Sequence, residues 1–339
     1  MKKTIFTAIF IIFISFTVFC NGHLELANTQ EIGLENIIDV KVLYSSEKVS
    51  LFMGTTDTLI IKEYMSENKN KYFAKITNFG NTITIENGRW PFRPFSTFNR
   101  RLEVYLPASY DNTINIKTSS GDIETSDLFC SKITIKSSSG DVSVKSITAE
   151  TMEIKSSSGN ITIGSANGEI SIESSSGRID SGKVTGSLLS KTSSGDIHCE
   201  NIQGTANLHT HSGDIVFSST SGNISAEASS GDIKADMGAG SINAKTTSGK
   251  IHCTAAESSG DISLNTTSGS VRLYLPVNFK FHFSSRTSSG RLTTPFSDRL
   301  SNPVTDKNLT QGAIGSNNSE NIPTVTIRTG SGSTRIEWV

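Results

Sequence analysis

From Ile38 onward, apolar and polar positions alternate with a period of two, which predicts strands, and no segment shows a helical period. Val40, Val42 and Tyr44 alternate, as do Val49, Leu51 and Met53, and Leu102, Val104 and Leu106 before Pro107. Thr58 to Tyr64, Tyr72 to Ile76 and Thr82 to Ile85 predict three more strands, whereas the polar residues 23–37 predict a tether. From residue 109 the alternation becomes a repeat. Thr118-Ser119-Ser120-Gly121-Asp122-Ile123 returns as Ser138-Ser139-Gly140-Asp141-Val142 and as Ser157-Ser158-Gly159-Asn160-Ile161. Further copies carry their glycine at Gly177, Gly195, Gly213, Gly231, Gly249, Gly269 and Gly290, in steps of 18 to 21 residues. So regular a period predicts a solenoid.

Two residues after the glycine stand Ile123, Val142, Ile161, Ile179, Ile197, Ile215, Ile233, Ile251, Val271 and Leu292. Four residues after it the position is smaller and mostly apolar, as at Val144, Ile163, Cys199, Phe217, Ala235, Cys253 and Leu273. A second glycine follows nine residues on, at Gly168, Gly186, Gly204, Gly222 and Gly240. Each coil is therefore predicted to be two short strands and two tight turns around an aliphatic core one side chain deep, and no coil buries its apolar face alone. Glycine suits the corner through positive φ or close backbone approach, and the preceding Ser and Thr suit it by bonding local backbone. After Gly290 the pattern loosens. Residues 300–319 predict a loop, and strands at Val325 and Ile327, then Thr334 and Ile336, are predicted to cap the open end of the stack. The fold predicted is all-β, a single-stranded β-helix or β-solenoid of about ten 18–21-residue coils with irregular β caps at both ends. Its divisions are a signal segment at 1–22, a tether and irregular β cap at 23–108, repeats at 109–295, and a loop with capping strands at 296–339. At ~4.8 Å per coil such a stack would be ~50 Å long.

Composition adds a location. Hydrophobic residues make up 35% and charged residues 19% of the 339, with Ser, Thr, Asn and Gly filling the difference. A net charge of -1 gives no electrostatic case for nucleic acid or an anionic membrane. Lys2 and Lys3 precede an apolar run from Ile5 to Phe19. That run is shorter than the ~20 residues a spanning helix needs, so it predicts an export signal and a place at the cell envelope, periplasmic or on the outer surface. Cleavage after Gly22 would release a soluble chain. Cleavage before Cys20 would leave an acylated, lipid-anchored one, although Phe19 is a poor residue for that signal. Cys130, Cys199 and Cys253 remain after export, an odd number. Cys199 and Cys253 share one slot three coils apart, ~14 Å at ~4.8 Å per coil, beyond the ~7 Å a disulfide spans. All three are predicted to be buried apolar side chains.

The repeated Ser-Gly-Asp-Ile turns are entered through Val104-Tyr105-Leu106-Pro107 and left through Val271-Arg272-Leu273-Tyr274-Leu275-Pro276. Together with the closing Thr324-Val325-Thr326-Ile327-Arg328-Thr329-Gly330-Ser331-Gly332, they resemble the bacterial putative-adhesin β-solenoid domains over nearly all of residues 38–339. The resemblance implies a β-solenoid fold in an exported, lipoprotein or membrane-anchored protein.

The candidate chemistry is thin. Asp122, Asp141, Asp196, Asp214, Asp232 and Asp261 form an acidic ladder that calcium could bridge, but Asn160, Arg178, Lys250, Ser270 and Arg291 interrupt it, and Asp also suits turns. His209 and His211 share a strand face without a third ligand, and His198 and His252 stand three coils apart. The outward residues Glu124, Ser143, Thr162, Asp180, His198 and Val216 gather no acid/base pair for glycan cleavage. No catalytic residue, cofactor or metal is therefore predicted. The distinctive stretch runs from Arg89 to Arg101, with four aromatics, four arginines and no acid. Arg89, Trp90, Phe92, Arg93 and Phe95 are the candidate partner contacts, unless the stretch folds back to plug the first coil. The function predicted is that of a non-enzymatic, adhesin-like binding or spacer protein. A surface glycan, a protein or a membrane would each fit as partner, and nucleic acid would not. The alternatives are a polysaccharide-acting β-helix enzyme and a calcium-stabilised structural protein.

Overall fold

The computed structural model describes residues 24–91, 98–315 and 322–339. Strands dominate, and the described helices are two single 3₁₀ turns, Asn70–Tyr72 and Ser297–Arg299. The chain is an all-β solenoid, and it divides into two compact units, residues 1–159 and 160–339.

The first unit contains β1 (Glu25–Gly33), β2 (Asp39–Leu43), β3 (Lys48–Met53), β4 (Thr58–Met65), β5 (Lys75–Phe79), β6 (Thr82–Glu86), β7 (Arg100–Leu106), β8 (Thr113–Lys117), β9 (Ile123–Ser137) and β10 (Val142–Ser156). β9 and β10 stack in parallel and in register, Val142 on Ile123 and Ile154 on Ile135. β2 lies between β6 and β8, and β3 between β7 and β9, all in parallel. The segment 39–53 is thus a coil threaded between two that follow it in sequence. Antiparallel strands close this unit, with β4 on β7, β1 on β4 and β5 on β6. Two expectations are corrected. Residues 25–33 are a strand and not a tether: Ala27 and Ile32 are buried, and a bulge between Leu26 and Asn28 turns Asn28 inward as well. Polar composition hid this strand, because Asn28 and Gln30 are buried through hydrogen bonds to Glu63 and the Ala74 carbonyl. The strand expected at 72–76 begins later, after the 3₁₀ turn at Asn70–Tyr72.

The second unit contains β11 (Ile161–Ser174), β12 (Ile179–Thr192), β13 (Ile197–Thr210), β14 (Ile215–Ser221), β15 (Ile224–Ala228), β16 (Ile233–Thr246), β17 (Ile251–Thr254), β18 (Ser259–Thr266), β19 (Val271–Leu275), β20 (Phe281–Thr287), β21 (Leu292–Thr293), β22 (Ser301–Asp306), β23 (Leu309–Ile314), β24 (Thr324–Thr329) and β25 (Thr334–Trp338). Ile179 pairs with Ile197, Ile197 with Ile215 and Ile215 with Ile233, each buried, so equivalent residues build the core column by column. Leu292, at the last repeat, is only half-buried.

The two corners of a coil use glycine for different reasons. At the Ser-Ser-Gly corner a Cβ on Gly140 would overlap the Gly121 carbonyl, and one on Gly213 would overlap that of Gly195. Neither glycine has a positive φ, so crowding between coils is the whole reason. At the second corner Gly186 and Gly204 have φ of 113° and 136°, a region that L side chains avoid. The second corner is a bend rather than the strand-ending turn expected, because β11, β12, β13 and β16 stay paired through or up to it.

The C-terminal strands are not a cap. β24 pairs with β18 on one side and β20 on the other, and β25 lies likewise between β19 and β21. Val325, Ile327 and Ile336 are accordingly buried in the interior of the stack. The edge of β20 is covered instead by residues expected to be a loop: β22 and β23 form an antiparallel hairpin, and β23 pairs with β20. Its outer strand is short, exposed and carries Pro303, features that discourage further strand addition. Phe296 meets Phe281, Phe283 and Trp338 at centroid distances of 5.2–5.5 Å where the aliphatic columns end.

Candidate functional site

Ser45-Ser46-Glu47-Lys48-Val49 occupies the frame of Ser-Ser-Gly-Asp-Ile, with glutamate in the glycine slot. Val49 pairs with Ile123, and a Cβ on Gly121 would overlap the Glu47 carbonyl. On its other side Lys48 pairs with Arg101, which brings Glu47 level with Arg100, the first residue of β7. The glycine column can end there because no further tight corner follows. The Arg100 guanidinium fills the space: Nε donates to Glu47 Oε1 at 3.0 Å, Nη2 pairs with the same carboxylate, and Nη1 donates to the Tyr72 carbonyl at 2.7 Å. Glu47 also accepts from the backbone N–H of Ser46 at 2.9 Å and of Ser45 at 3.2 Å.

Glu63 is the second buried carboxylate. It accepts from the Ala74 N–H at 2.7 Å, from Asn28 Nδ2 at 2.9 Å and from the Tyr44 hydroxyl at 3.3 Å. Burial pushes its carboxyl above the ordinary range, although these hydrogen bonds and Arg100 favour the charged form. The Tyr44 hydroxyl is held well above its usual value, by burial first and by the Glu63 charge second. Glu47, Glu63 and Arg100 are closed to solvent, so they can hold the cap together but cannot meet a substrate.

Trp90 lies over this network. Its ring meets Phe98 edge-on at 5.2 Å, and the Arg100 guanidinium sits 5.7 Å from its centroid. Phe98 packs with Ala27, Met65 and Tyr72 in a small buried cluster. Trp90 nevertheless stays 51% exposed. Arg89 is held through its backbone N–H, which donates to the Lys71 carbonyl at 3.1 Å. Phe92, Arg93 and Phe95, like Cys20, lie outside the described residues. Of the candidate contacts, then, Trp90 is joined to the cap core and still offers half its surface to solvent.

The remaining candidates serve the stack. Asp122 Oδ1 accepts the Asp141 N–H, Asp196 that of Asp214, Asp214 that of Asp232, and Asp232 that of Lys250, at 2.7–2.9 Å. Each carboxylate thus ties one coil to the next. Asp261 does not belong to this ladder. It stands at the opposite corner, where its N–H donates to Ser241 Oγ and its Oδ1 accepts the Thr324 N–H. His198 lies 3.6 Å from Asp180, and His209 lies 4.0 Å from Glu227. Among the described residues no three His, Cys, Asp or Glu converge as a metal site. Cys130, Cys199 and Cys253 are free and buried, as expected, and burial pushes the thiols of Cys199 and Cys253 up to about 12. Two open grooves mark the wall of the second unit. One of about 600 Å³ is lined by polar residues such as Asn207, Asn223 and Asn243. The other, about 280 Å³, is lined by Lys245, Arg286 and Arg328.

Sequence reasoning missed Glu47, Glu63, Arg100 and Tyr44. The Ser45-Ser46-Glu47 frame was the available signal for Glu47, but without its glycine it does not register as a repeat. For Glu63 the signal was its phase: it alternates within β4 in step with the buried Leu59, Ile61 and Met65, an acid at an inward position.

A search of curated proteins finds no match. Among solved structures the chain is similar to a putative adhesin from Parabacteroides merdae, at 12% identity over 95% of this chain and 98% of that one, with a TM-score of 0.36. It is similar to one from Parabacteroides distasonis at 14% identity, over 94% and 98%, again at 0.36. A putative cell adhesion protein from Clostridium sporogenes matches at 10% identity over 94% and 100%, with a TM-score of 0.26. The family model described as Toastrack DUF4097 matches residues 38–237 and 216–337, which takes in the threaded N-terminal coil, the glycine-cornered repeats and nearly all of the inserted C-terminal coil. The chain belongs to the Toastrack DUF4097 family.

Proposed function

We propose that this protein is an exported, non-enzymatic β-solenoid that acts at the cell envelope as an adhesin-like binding or spacer element. The observation that carries this reading is the closeness of the coils at their corners. The crowding at Gly121, Gly140, Gly195, Gly213 and Gly249 leaves no room for a side chain, still less for an inserted loop. A wall built this way presents ladders and shallow grooves, whereas a polysaccharide-cleaving site needs a cleft with opposed carboxylates. Lys2, Lys3 and the apolar run up to Phe19 support export, and Cys20 is the residue that would carry a lipid anchor. Trp90 is the proposed partner contact, together with Arg89, Phe92, Arg93 and Phe95, because an exposed aromatic among arginines is a composition that binding hot spots favour.

Cell fractionation with intact-mass measurement tests the location. An acylated N-terminus at Cys20 in the membrane fraction, or a soluble chain starting at His23 outside the cytoplasm, is expected. Full-length chain beginning at Met1 in the cytoplasm would sink the reading. Trp90→Ala tests the contact: weaker retention on isolated envelopes with an unchanged Tm supports it, and a lowered Tm with normal retention leaves Trp90 a capping residue only.

A further inference from the structure

Along the outward face of the second strand of each coil, one column runs in register through the second unit. It reads Glu173, Lys191, His209, Glu227, Lys245, Asn265, Arg328 and Arg286. The earlier coils balance their charge, Glu173 beside Lys191 and Glu227 between His209 and Lys245. The later coils do not. Arg328 and Arg286 stand directly opposite each other on β24 and β20, and the residue on the other side of Arg328 is Asn265. Like charges directly opposite destabilise a sheet, and among the described residues neither arginine nor Lys245 has an ion-pair partner. All three are exposed. They line the 280 Å³ groove with Asn265 and the hydroxyls of Thr267 and Ser288, and no acidic side chain contributes to it. The surrounding sequence leans the same way, with ten Lys and Arg against six Asp and Glu in residues 241–339 of a chain whose net charge is -1.

We propose that this groove binds an anionic polysaccharide, with sulfate, phosphate or carboxylate groups bridging Arg286, Arg328 and Lys245. Arginine forks pair such groups bidentately. The two arginines are spaced at ~4.8 Å and Lys245 lies ~10 Å from Arg328, which suits a line of recurring charges rather than one ion. The lining has no aromatic side chain, so the bases of a single-stranded nucleic acid would have no stacking platform. The inference deepens the binding reading by naming a partner class, and the Trp90 contact and the envelope location are tested separately from it.

The test is titration of the full mature chain with fluorescent dextran sulfate, neutral dextran and a single-stranded oligonucleotide. Expected are saturable dextran sulfate binding that weakens as salt rises, no binding of neutral dextran, and at least tenfold weaker dextran sulfate binding by the double variant Arg286→Gln, Arg328→Gln. Lys183→Gln, on a distant coil, should bind as the parent does, and far-UV circular dichroism should show both variants folded. Undiminished binding by the folded double variant overturns the site. Equal, arginine-dependent binding of the oligonucleotide overturns the polysaccharide. Displacement by inorganic sulfate beyond that by chloride of equal ionic strength overturns the polymer in favour of a single-anion site.

Discussion

Single residues in this molecule act through the coil beneath them. Thr210 is an example: its Oγ1 accepts the N–H of Gly213 in its own corner at 3.0 Å and donates to the Gly195 carbonyl of the preceding coil at 3.1 Å. Thr246 does the same for Gly249 and Gly231. Between them, in register, stands Ala228, which has no hydroxyl to give. Ala228→Thr should restore the rung and raise stability by about 1 kcal/mol, read as a higher denaturant midpoint with an unchanged m-value. The corner glycines set the opposite sign. Gly213→Ala should cost about 2–3 kcal/mol because the methyl meets the Gly195 carbonyl. Gly33→Ala, with nothing nearby, should stay within about 0.5 kcal/mol. Equal midpoints for these two variants would contradict the crowding argument.

At the scale of an element, the β7 edge shows how a repeat stops. Glu47 breaks the glycine column and Arg100 neutralises it out of solvent. Arg100→Met would leave the Glu47 carboxylate buried and unpaired, at an expected cost of about 3–5 kcal/mol in urea unfolding. Glu63 makes the cap sensitive to pH. Its carboxyl is raised above the ordinary range, chiefly by burial, so the folded state holds the proton more tightly than the unfolded state does. The associated stability is therefore full at acid pH and is lost as pH rises through the raised value. Glu63→Gln removes this titration. The Tm of the parent minus that of Glu63→Gln should fall from acid pH to neutrality, and a difference that rises or stays flat would contradict the assignment.

At the scale of the whole molecule, the order of coils departs from the order of the chain within each unit. Residues 39–53 lie between coils that follow them, and 324–338 lie between coils that precede them. The strand pairing β18–β24–β20 cannot form until the last residues are available, and pairing so remote in sequence is slow to form. A chain ending at residue 315 should therefore lose more than two strands. Without β24 and β25 the aromatic cluster loses Trp338 and β20 loses its parallel neighbour. A Tm well below that of the parent and proteolytic cutting within residues 276–315 are expected, whereas an unchanged Tm would mean that 324–338 is dispensable, as a surface cap would be.

The amino-acid sequence by itself determined the coil: its length, its inward residues and its two glycine corners. In a parallel in-register stack each position meets its own equivalents, so the environment of Ile197 or Gly213 is repeated along the chain and becomes visible as a period. It also marked Trp90 as the odd residue among the strands. The tertiary structure decided which strands are neighbours where the period fails. Glu47 facing Arg100, Arg286 facing Arg328, and the two threaded coils all join segments that are out of chain order. What selects these pairings is the need to cover open strand edges and exposed core ends, a property of the assembled sheet that no local spacing encodes.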